Sequence, residues 1–152
     1  MKKTVVFLFI LVSVVLFGQN DSKRISNYNL ENKIAIQGYD PVAYFTNGKA
    51  VKGKKEVSAS YQGVIYKFSS KQNKETFLKK PSEYEPQYGG WCAYAMGSTG
   101  DKIEINPETF KIINGKLYLF YNAYFNNTLK SWNKNETSLK IKADSNWKNI
   151  IK

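Results

Sequence analysis

The pair Asn114-Gly115, inside the stretch TFKIINGKLYLFY at 109–121, constrains this chain more than any other feature. A two-residue I′ turn needs positive φ at both central positions. Gly adopts that conformation freely, Asn tolerates it, and the turn's twist matches that of two paired strands. The stretch is therefore expected as an antiparallel hairpin. A second hairpin is expected just upstream. Val57, Ala59 and Tyr61 alternate with polar residues, Gln62-Gly63 makes the turn, and Val64, Tyr66 and Phe68 alternate again, leaving one apolar face. Ile34 and Ile36 run as a short strand into the turn Gly38-Tyr39-Asp40-Pro41.

Helices are expected between and after the hairpins. Ser69 or Ser70 can cap one with Phe77 and Leu78 on its inner side, and Pro81 suits the first turn of a short helical segment containing Tyr84. Asn122 is expected to cap a helix carrying Phe125, Leu129 and Trp132 on one stripe. A last helix is expected over about 136–150, with Leu139, Ala143, Trp147 and Ile150 facing inward. The order hairpin, helices, hairpin, helices implies an α+β fold. It is expected to be a single domain whose small antiparallel sheet, built from two hairpins, is covered by several short helices on one side.

The amino terminus sets an expected compartment. Lys2 and Lys3 precede an almost wholly apolar run from Val5 to Phe17, followed by the small and polar Gly18-Gln19-Asn20. That is the layout of a secretory signal peptide, and the run is shorter than the about 20 residues a spanning helix needs. Residues 1–19 are read as the signal peptide, cut near Gly18 or Gln19, 20–32 as a loose polar entry arm, and 33–152 as the folded domain. The product would be exported, periplasmic or secreted, without stable membrane insertion after cleavage. Loss of Lys2 and Lys3 lowers the basic count from 23 to 21 against 12 acids, so the net charge falls from +11 to +9.

Such a balance attracts anionic partners. Arginine occurs once, at Arg24, and no nucleic-acid module is recognisable, so no specific nucleic-acid binding is expected. The chain has no histidine, which removes a Ser-His-Asp triad and any His-ligated zinc. Its one cysteine, Cys92 in YGGWCAYAMG at 88–97, removes an internal disulfide framework. The carboxylates Asp40, Asp101, Glu104 and Glu108 have no spacing distinctive of a catalytic pair.

GYDPVAYF at 38–45, YQGVIYKFSS at 61–70, Phe77, KPSEYEPQYGGWCAYA at 80–95 and INGKLYLFYN at 113–122 resemble the secreted branch of the YHS-domain family. The resemblance runs from about 30 to 152, and this branch is similar to proteins that include selenoproteins. It implies a YHS-like domain with a C-terminal helical extension. The wider family's domains carry cysteines and are regarded as metal-binding. The positions of this chain that match those thiols are Ala43, Ser69 and Asn73, so that metal site does not carry over.

Cys92 stands open to three readings. It is a small buried hydrophobe, a redox or nucleophilic thiol, or a soft-metal ligand. Met96 lies four residues on, which places two sulfurs on one face if the segment is helical, and such a pair suits copper or another soft ion. The first expectation is a non-enzymatic domain that binds a metal ion or small ligand near Cys92, Met96 and Tyr88, beneath Tyr39 and Tyr44. A thiol-dependent redox protein and a basic structural or adhesive domain are the alternatives.

Overall fold

The computed structural model describes residues 21–152, so the expected signal peptide lies outside the described residues. Residues 21–27 are helical (α1). They are followed by β1 (Leu30–Glu31), β2 (Ile34–Ala35), a 3-10 turn (Ile36–Gly38), α2 (Ala43–Thr46), β3 (Lys54–Tyr61) and β4 (Val64–Phe68). Next come α3 (Lys71–Lys79), α4 (Pro81–Tyr84), a second 3-10 turn (Gln87–Gly90) and α5 (Ala93–Ser98). The chain ends with β5 (Asn106–Ile113), β6 (Lys116–Phe120), β7 (Asn122–Ala123), β8 (Asn126–Asn127), α6 (Thr128–Lys134) and α7 (Glu136–Ile150). The α+β class is as expected.

Both hairpins form about the turns the sequence marks. Gln62 and Gly63 have φ of 46° and 79°, and Asn114 and Gly115 have 50° and 71°. They do not share a sheet, however. β3 and β4 belong to a four-stranded sheet of order β1-β2-β4-β3, in which β2 meets β4 in parallel at Ile34 and Ile65, while β5 and β6 pair only with each other. One isolated parallel bridge joins Leu117 of β6 to Pro86, which lies outside both sheets.

The reason lies in β6. Leu117, Tyr118, Leu119 and Phe120 are all buried, so this strand is covered on both faces. Leu117 and Leu119 enter a first core with Val57, Val64, Tyr66, Phe68 and Phe77. Tyr118 and Phe120 point the other way, into a second core with Met96, Trp132, Leu139 and Ala143. A strand with apolar residues at consecutive positions is a wall between two cores, as in sheets covered on both sides. Gly97 lets α5 and α7 meet, since a Cβ there would lie 2.5 Å from the carbonyl oxygen of Leu139.

Three local expectations are corrected. No helix starts at Asn122. Asn122–Ala123 and Asn126–Asn127 form a small hairpin instead, and the side chain of Asn127 caps α6 by accepting from the Leu129 amide. Phe125 therefore sits at a turn and is fully exposed. Leu78 is also exposed, because the inner face of α3 carries Phe77 alone. The polar arm is not loose, since 21–27 is a helix bound to the body.

Candidate functional site

Three groups of polar or sulfur-bearing side chains lie inside this frame. The first is centred on Asp40. The turn after β2 brings the Asp40 amide to the carbonyl of Val51, and its side chain is completely buried. One carboxylate oxygen accepts from the amides of Val42 (2.9 Å) and Ala43 (3.3 Å), which caps the start of α2. The other accepts from the Ser69 amide (2.8 Å), the Ser69 hydroxyl (2.7 Å) and the Asn73 side-chain amide (2.7 Å). Five donors converge on two oxygens, so no acceptor site of the carboxylate is left open. Among the described residues no ion pair involves Asp40, so these dipoles alone compensate its burial.

The second group surrounds Cys92, which is fully buried at the start of α5. Its Sγ accepts from the Tyr121 amide at 3.3 Å and lies 3.4 Å from the Thr128 hydroxyl. Thr128 gives its proton to the Tyr121 carbonyl at 2.8 Å, so the thiol proton points to the Thr128 oxygen. This is the surrounding of a packed thiol with both hydrogen-bonding roles filled.

The other expected site residues divide between the two cores, Tyr44 and Tyr39 with Cys92 in the first and Tyr88 with Met96 in the second. Met96 is fully buried in the second core, whereas Cys92 is counted with the first. Tyr88 lies in the second core and donates to Asp144 at 2.8 Å. Tyr44 is buried in the first core and donates to the Pro107 carbonyl at 2.8 Å. Tyr39 is half-buried beneath the ammonium of Lys52, 4.6 Å from its ring centre.

The third group was not foreseen. Arg24 on α1 pairs with Glu85, and both side chains are nearly buried, at 11% and 13% exposure. Glu85 also accepts from the hydroxyl of Tyr66, and Arg24 binds the Tyr28 hydroxyl at 2.7 Å and stacks over its ring. Burial and then the charge of Glu85 push the Tyr66 phenol well above its ordinary range, so it stays protonated and donates. A hollow of about 200 Å³ opens beside this group, lined by Lys23, Arg24, Tyr28, Gln62 and Ile151. The only signal for it was the single arginine of a lysine-rich chain.

With these groups placed, comparison with known proteins adds one match, a family model for the YHS domain over residues 42–88. A YHS domain is present there. No curated protein and no solved structure matches the chain. The YHS segment begins two residues after Asp40 and takes in Ala43, Ser69, Asn73 and Glu85, while Cys92 and Met96 lie beyond it.

The three positions that resemblance matches to thiols are near neighbours in space, joined through one carboxylate. Asp40 bonds to the Ala43 amide and to the side chains of Ser69 and Asn73. A thiolate-held metal does not fit this donor set, whose oxygens and amide are consumed by one another. Among the described residues no group of three His, Cys, Asp or Glu side chains converges.

Proposed function

We propose that the protein is an exported, non-enzymatic binding module of the YHS type, in which the thiol centre has become a structural node and partners are met at the surface. The observation that carries this reading is the buried Asp40 carboxylate, saturated by donors from Val42, Ala43, Ser69 and Asn73. What a soft metal would occupy is filled by a closed hydrogen-bond network, and a buried network of this kind is costly to open. The lysine-rich surface supports contact with anionic partners rather than a buried ligand. Redox chemistry at Cys92 would require a sulfur that reagents reach, and this one is covered on every side.

Export rests on the amino-terminal pattern. Protein recovered from the periplasm or the medium should begin at Gln19 or Asn20 by mass spectrometry, and an intact Met1 terminus on that material would overturn it. The role of Cys92 is tested by its labelling rate with a neutral thiol reagent. Labelling should be slow in the native protein, rapid in urea, and unaffected by a copper chelator. Rapid native labelling, or labelling released by the chelator, would restore the redox or copper reading.

A further inference from the structure

The β7–β8 hairpin ends in a two-residue turn made of Tyr124 and Phe125. Their φ values are 50° and 64°, the left-handed pattern of a I′ turn. Asn and Gly favour these positions and bulky aromatic side chains oppose them. Tyr124 is 92% exposed and Phe125 is fully exposed. Nothing in the fold compensates the strain, since neither ring packs against another element. An outlier of this kind, held where two large rings project into solvent, points to function.

The surroundings are basic and amide-rich. The stretch 109–135 contains four lysines and no acid. Lys130 and Lys134 are exposed and one turn apart on α6, the helix that begins where β8 ends. Lys111 is tied to Glu136 and Asn133, and Glu108 is the exposed acid on the neighbouring β5. Two exposed aromatic rings, followed a few residues on by exposed lysines that form no ion pair among the described residues, match the boundary of an anionic bilayer. Tyr and other amphipathic rings settle at headgroup level there, and lysines gain from the surface potential. We propose that the Tyr124–Phe125 turn, with Lys130 and Lys134, docks the protein reversibly on anionic lipid headgroups. This deepens the reading of a surface-binding module and rests on it.

The test uses the turn's own preference. Tyr124→Asn combined with Phe125→Gly installs the favoured I′ pair, so the variant should fold at least as well, with a Tm raised by about 2–4 °C. Full-length wild type should co-sediment with vesicles of phosphatidylglycerol and phosphatidylcholine, less so at high salt, and much less with phosphatidylcholine alone. The double variant should bind the anionic vesicles about tenfold more weakly or worse. Because the apolar run at 5–17 can itself meet lipid, a local readout accompanies it. An environment-sensitive dye on Asn126→Cys should shift to the blue with anionic vesicles only.

A dye that stays unshifted with anionic vesicles, or that shifts equally with neutral ones, would overturn the proposal. If the turn instead serves a protein partner, the dye stays unshifted on vesicles, which counts against it in the same way. Failure here leaves the closed Asp40 node standing, whereas metal uptake at that node would sink the wider reading without altering vesicle binding.

Discussion

Glu85→Ala should destabilise the fold by about 3–5 kcal/mol, the range for breaking a buried ion pair by removing one partner. The size follows from what is left behind. The Arg24 guanidinium is nearly buried and Tyr66 is 1% exposed, and both lose their acceptor. Helix α1 would also lose its main polar tie to the body. Glu85→Gln keeps the shape and one acceptor oxygen, so it should cost about 1–3 kcal/mol. Urea unfolding of the two variants measures this. A change below about 1 kcal/mol for Glu85→Ala would mean that the pair is solvated and that α1 is loosely held.

Asp40→Ala should have an effect of similar size, about 3–5 kcal/mol. Five hydrogen bonds end on this carboxylate, from the Val42, Ala43 and Ser69 amides, the Ser69 hydroxyl and the Asn73 side chain. Removing it takes away the acceptor that all five donors share at a buried position. Asp40→Asn should fall between, because its amide NH2 confronts donors where an oxygen accepted before. Equal stability of wild type and Asp40→Ala would show that the node is dispensable, and the structural reading of the YHS segment would fail.

The elements legible in the sequence were those with short-range causes. Asn114-Gly115 and Gln62-Gly63 specify their turns locally, Ser70 caps α3 by accepting from the Asn73 amide, and Pro81 opens α4. The stretch after Asn122 misled because Phe125, Leu129 and Trp132 have helical spacing. Asn127 caps better than Asn122, and the chain makes a small hairpin first. The separation of the sheets was hidden for a different reason. Consecutive apolar residues along β6 say that both faces are covered, but not by what.

The candidate site was less legible than the fold. Cys92 and Met96 looked like a pair because four residues separate them. Cys92 stands at the cap of α5 with its sulfur bonded to Tyr121 and Thr128, partners 29 and 36 positions away that spacing does not announce, and Met96 packs in the second core. Asp40 read as an ordinary turn residue, since the partners that give it meaning lie 29 and 33 positions away. Arg24 and Glu85 are 61 positions apart, and no periodicity announces such a contact.

The central claim is that this YHS domain has exchanged a metal centre for a self-satisfied carboxylate node. Metal analysis tests it most directly. Full-length protein is equilibrated separately with zinc and with copper under reducing conditions, passed through gel filtration, and measured for metal per chain. Retention should be far below one equivalent, and it should be the same for wild type, Asp40→Asn and Cys92→Ala. One equivalent retained by the wild type and lost in either variant would contradict the account.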